Sequence, residues 1–90
     1  MVLEITNAEY MGNYKIKLLF SDKKERLIDF EPFLTHSMNP MTRKFLDINE
    51  FKKFQIQYGD LIWNDYEMCF PIIDLYENNI LKGFVESHVA

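Results

Sequence analysis

Apolar and polar positions alternate most regularly between Tyr14 and Phe20. Tyr14, Ile16, Leu18 and Phe20 fall on one face, and Lys15 and Lys17 on the other. A period of two marks a half-buried strand. Upstream, residues 2–11 read as a first strand with Leu3 and Ile5 on a common face, and Gly12-Asn13 is a turn signal. Downstream, residues 21–24 form a polar turn and residues 25–30 a third strand. Short connections make an antiparallel meander with one dry and one wet face.

The pattern then changes. Residues 31–39 hold Pro32 and end in Asn39-Pro40, which reads as a loop. Helical spacing returns at Met41, Phe45 and Leu46. Asn49 reads as the N-cap of a short helix through Lys53, with Phe51 and Phe54 turned inward to plug the sheet. Alternation resumes at residues 55–58, Gly59-Asp60 turns the chain, and Leu61-Ile62-Trp63 is a fifth strand. Asn64-Asp65 supplies a two-residue turn into a strand over residues 66–70, which Pro71 ends. Ile80, Leu81, Phe84, Val85 and Val89 recur as one face of a C-terminal amphipathic helix over residues 78–90. The predicted fold is α+β: an antiparallel sheet of five to six strands, one short central helix and a C-terminal helix, in one domain over residues 1–90.

Composition narrows the class. The chain has 90 residues, 48% hydrophobic and 16% aromatic, enough for a modest core rather than a disordered segment. The net charge of −4 is not that of a typical nucleic-acid binder. Lys15, Lys17, Lys23, Lys24 and Arg26 do gather on the first hairpins, but Asp22, Glu25 and Asp29 interleave with them, as on a solvated mixed-charge face. One cysteine, Cys69, excludes an internal disulfide and fits a reducing compartment. With no apolar run at the start, the expectation is a cytoplasmic protein that does not enter a membrane.

Candidate chemistry is thin. Cys69 lies between Met68 and Phe70 and reads as a buried, inert thiol. His36 and His88 read as surface residues, and their separation from Cys69 has no metal-ligand spacing. Gly12, Gly59 and Gly83 are too scattered for a phosphate loop. The sequence therefore predicts no catalytic residue, no metal and no cofactor. Asp60, Asp65, Glu67 and Asp74 could converge on one rim, as a paired-carboxylate hydrolase would require. However, Asp60 and Asp65 are explained as turn formers, and Asp74 as a cap for the turn carrying Leu75-Tyr76, so catalysis is not the expectation.

Several of these segments, taken in order, resemble the Domain of Unknown Function 2442 family, a small and mostly bacterial α+β group. The resemblance rests on residues 14–20 ending in Phe, on Arg26-Leu27-Ile28-Asp29-Phe30, and on Phe45-Leu46 with Phe51. It closes with Leu61-Ile62-Trp63 and Asp74-Leu75-Tyr76, and covers residues 2–77. Asn64-Asp65-Tyr66 stands where that family often has Pro-Asn-Gly. The resemblance implies a compact antiparallel domain without an assigned activity. It also implies an antitoxin-like partnership with another small protein. Some relatives carry a helix-turn-helix segment, for which the residues after the matched region are too few.

Three functions follow as expectations. The first is a non-catalytic interaction module that binds another small protein or itself. Its candidate partner-binding residues are Leu81, Phe84 and Val85 on the C-terminal helix and Trp63, Asp65 and Tyr66 on the sheet rim. The alternatives are a nucleic-acid-linked regulator, carried by the basic hairpin though without direct binding expected, and a small hydrolase around Trp63, Asn64, Asp65 and Asp74. Trp63 itself reads first as a packing residue.

Overall fold

A computed structural model describes residues 3–64 and 66–81. These form six strands and four short helices in the order β1 (Ile5–Gly12), β2 (Lys15–Phe20), β3 (Glu25–Asp29), α1 (Glu31–His36), α2 (Pro40–Arg43), a 3₁₀ turn (Lys44–Leu46), α3 (Ile48–Phe51), β4 (Phe54–Gln57), β5 (Asp60–Trp63), β6 (Met68–Cys69) and α4 (Ile72–Tyr76). The class is α+β with antiparallel pairing, as the alternation predicts.

The single sheet of five to six strands is corrected to two three-stranded sheets, β1-β2-β3 and β4-β5-β6. They lie edge to edge. β1 runs beside β4 in the opposite direction, with the Ile5 N–H donating to the Gly59 carbonyl at 2.9 Å at one end. At the other end the Tyr10 ring meets Phe51, with centroids 5.9 Å apart, and Lys52 Nζ lies 5.8 Å from the Tyr10 centroid. The reason for the split is in β1, whose register shifts between Ile5 and Asn7 and again between Tyr10 and Gly12. Such bulges bend and twist a strand, so its outer edge cannot keep a ladder with β4.

The three-strand meander pairs as expected, with Ile16, Leu18 and Phe20 buried on β2. Its first turn differs. Asn13 and Tyr14 are the two central residues, with φ of 53° and 63°, between the paired Gly12 and Lys15. A two-residue loop of type I′ has positive φ at both positions, which a bulky residue adopts only at a cost. Tyr14 offsets that cost with tertiary contacts: its ring packs edge-on against Phe51 at 5.4 Å and its hydroxyl donates to the Leu46 carbonyl. We predict that Tyr14→Phe keeps the ring contact and loses about 1 kcal/mol, read from urea unfolding; no loss would mean that the hydroxyl bond does not hold the turn.

Residues 31–39, read as a loop, contain α1. Pro32 sits in the first helical turn, where its missing N–H is no loss, and Asp29 Oδ1 accepts the Glu31 N–H at 3.0 Å. Pro40 likewise begins a helix instead of ending a loop, with the Asn39 side chain accepting from the Met41 N–H at 2.9 Å. The cap expected at Asn49 is Asp47, whose Oδ1 accepts the Asn49 N–H at 2.9 Å. These short helices roof the sheets and seat Leu34, Phe45 and Phe51 in the core.

α4 ends in a Schellman motif. The Asn79 N–H donates to the Asp74 carbonyl at 2.8 Å and the Asn78 N–H to Leu75 at 3.1 Å, with Asn78 left-handed at φ 56°. Asp74 therefore sits within the first turn of α4 and is not a cap. No helix runs through residues 78–81, and the remainder of the helix expected over residues 78–90 lies outside the described residues.

Candidate functional site

The sequence-predicted rim is anchored on β5, where side chains alternate. Leu61 and Trp63 join the core, while Ile62 points the other way, opposite Cys69. Trp63 is fully buried, and its Nε1–H donates to the Phe51 carbonyl at 2.7 Å. Phe30, Phe51 and Phe70 surround it with centroids 5.4, 5.6 and 6.1 Å away. It therefore has no surface to offer a partner, which corrects its place among the partner-binding candidates. An indole flanked by apolar strand residues is drawn to the core, and here its one polar atom is satisfied there.

Beyond Trp63 the two-residue turn is corrected to a four-residue loop over 64–67, because Trp63 pairs with Met68. The strand expected over 66–70 shortens to Met68–Cys69. Asn64 and Tyr66 both have positive φ, 55° and 61°, and Tyr66 is 43% exposed. Asp65 lies outside the described residues, as do Phe84 and Val85; Leu81 is half-buried.

Two of the rim carboxylates, Glu67 and Asp60, take structural places. Glu67 pairs with Lys44 and accepts from Asn64 Nδ2 at 3.0 Å, and these bonds hold its carboxyl below the usual range. A general acid needs the opposite shift. Asp60 begins β5 at the end away from the Asn64 loop, about 10 Å along the strand from Trp63 at strand rise. No group of three or more His, Cys, Asp or Glu side chains that could hold a metal ion occurs among the described residues.

Cys69 is exposed, which corrects the buried thiol. Its apolar neighbours Met68 and Phe70 both turn inward, so the pleat sends Cys69 outward; flanking hydrophobicity was a misleading signal. His36 Nδ1 lies 2.7 Å from the Pro32 carbonyl, one turn back on α1.

The basic hairpin is partly occupied by the fold. Lys17 lies 3.7 Å from Glu9. Arg26 donates from Nε to the Tyr76 carbonyl at 2.7 Å, and its guanidinium sits 4.9 Å from the Tyr76 ring centroid. The Tyr76 hydroxyl donates to Asp22 Oδ2 at 2.5 Å, and its ring packs edge-on against Phe20 at 5.0 Å. Asp22, Arg26 and Tyr76 thus clamp α4 onto the β2–β3 hairpin, across a sequence separation no local pattern reveals.

The Tyr76 bond lowers the Asp22 pKa, helped by the Lys24 N–H, and Asp22 raises the Tyr76 pKa. A lowered carboxylate pKa stabilises the fold above its unfolded value, near 3.8, and the benefit is lost as pH falls through the folded value. A raised phenol pKa acts in reverse: its contribution holds below the unfolded value, 10.0, and is lost as pH rises through the folded one. Tyr76→Phe removes the phenol contribution and the larger part of the Asp22 one, leaving the Lys24 N–H bond. We expect the variant's thermal midpoint to fall less than the wild type's between pH 5 and 3, and less above pH 10. Parallel curves would dismiss the clamp as a titrating pair.

One exposed residue escapes the sequence reading. Tyr58, assigned there to a strand, forms the β4–β5 turn with Gly59, the two having φ of 53° and 81°. This is the same loop type as at Tyr14, but Tyr58 is 86% exposed. Its strained backbone conformation gains no packing in return. Ile56, two residues upstream on β4, is 37% exposed. The signal available in sequence was Tyr-Gly between alternating segments, a weak version of Asn-Gly.

The family model described as a protein of unknown function, DUF2442, matches residues 5–80. No curated protein and no solved structure matches the chain. The match spans most of the chain, which therefore belongs to this family. Its residues serve the fold: Phe20, Ile28, Phe30, Phe45, Phe51, Leu61, Trp63 and Leu75 are buried, and Arg26 and Tyr76 form the clamp. Ile80, where the match ends, is the last core residue among the described ones.

Proposed function

We propose that this DUF2442 protein is a non-catalytic interaction module, the antitoxin-like partner of another small protein. Tyr58 carries the reading. A large aromatic held left-handed at a hairpin tip, 86% exposed, breaks a local folding rule without a gain in the core. Exposed aromatic anchors are what interfaces use as hot spots. Ile56 extends the surface along β4, and Tyr66 is a second exposed tyrosine at positive φ. The sequence adds Leu81, Phe84 and Val85, apolar positions on one face of the helix expected over residues 78–90.

The test combines stability with capture. Asn adopts positive φ more readily than Tyr, so Tyr58→Asn should stabilise the fold by about 0.5–1 kcal/mol while weakening capture of a specific small protein from the native cell. A lower melting temperature would make Tyr58 a structural residue and remove the support for this reading. Phe84→Asp, with the fold intact by circular dichroism, tests the second surface. Capture unchanged in both variants would end the proposal. Light scattering on the purified chain distinguishes a foreign partner from self-association.

A further inference from the structure

We draw no further inference here: the strongest candidate, the exposed pair of Met38 on the loop joining α1 to α2 and Met41 in α2, 92% and 51% accessible and braced by Arg43 Nη1 on the Thr35 and Ser37 carbonyls, is an apolar patch for which nothing in the structure shows what covers it.

Discussion

Replacing Trp63 with Ala is expected to cost about 3–5 kcal/mol, the range for deleting a large aromatic from a packed core. That is a large share of the roughly 5–15 kcal/mol a small domain possesses. Three separable losses contribute. The indole is fully buried, so its contact area with Phe30, Phe45, Phe51, Phe54 and Phe70 vanishes. A cavity forms in the core, where neighbours on the 3₁₀ turn, α3 and β4 relax only in part. The Phe51 carbonyl also loses the donor 2.7 Å away and is left desolvated. In urea the midpoint should fall by about 2 M or more, given a slope of about 1–2 kcal/mol/M. Trp63→Phe separates the terms, since it retains most of the apolar area but not the N–H, and should cost about 1–3 kcal/mol. A midpoint shift below about 0.5 M for the Ala variant would show that the core does not depend on this ring.

The second large effect is expected at Gly59. Its φ is +81°, and a Cβ there would stand 2.8 Å from Glu4 Cγ and 2.9 Å from Glu4 Cβ. Left-handed backbone alone costs an L-residue about 1–2 kcal/mol, more when it is β-branched. The contact with Glu4 adds to this, because Glu4 is held by its own bonds: its N–H donates to Ser21 Oγ at 3.0 Å and its carbonyl accepts the Ser21 N–H at 2.7 Å. Gly59→Val should therefore lose about 3 kcal/mol, Gly59→Ala less. The damage should centre on the join between the sheets, since the Gly59 carbonyl holds the Ile5 N–H. Faster amide exchange at Ile5 than at Ile28 is the expected signature. An unfolding free energy within 0.5 kcal/mol of wild type would refute the steric argument. So would exchange that accelerates uniformly.

The two predictions together locate the stability of this fold in places of different legibility. Trp63 could be read as a packing residue because strand alternation and aromatic bulk both point inward. Cys69 could not be placed the same way. Its neighbours on either side are apolar, but a two-residue strand is too short to declare its phase without a partner; the pairing of Met68 with Trp63 turns Met68 inward and leaves Cys69 exposed. Among the candidate partner residues, Trp63 is lost to the core and Tyr66 remains exposed, whereas Tyr58 was hidden from a sequence reading because its identity as a turn residue depends on the register of β4 with β5.

By itself the sequence determined the antiparallel α+β class, the buried face of β2, the inward Phe51, and the family, because each depends on local periodicity or on the order of motifs along the chain. The tertiary structure decided the rest. The bulges of β1 divide one sheet into two, since a kink in one strand matters only through the neighbour it fails to pair with. The Asp22–Tyr76–Arg26 clamp joins groups about 50 residues apart, a contact that only folding creates. Local periodicity records which face of an element is apolar; which other element that face meets depends on chain-wide packing, which no short window of sequence contains.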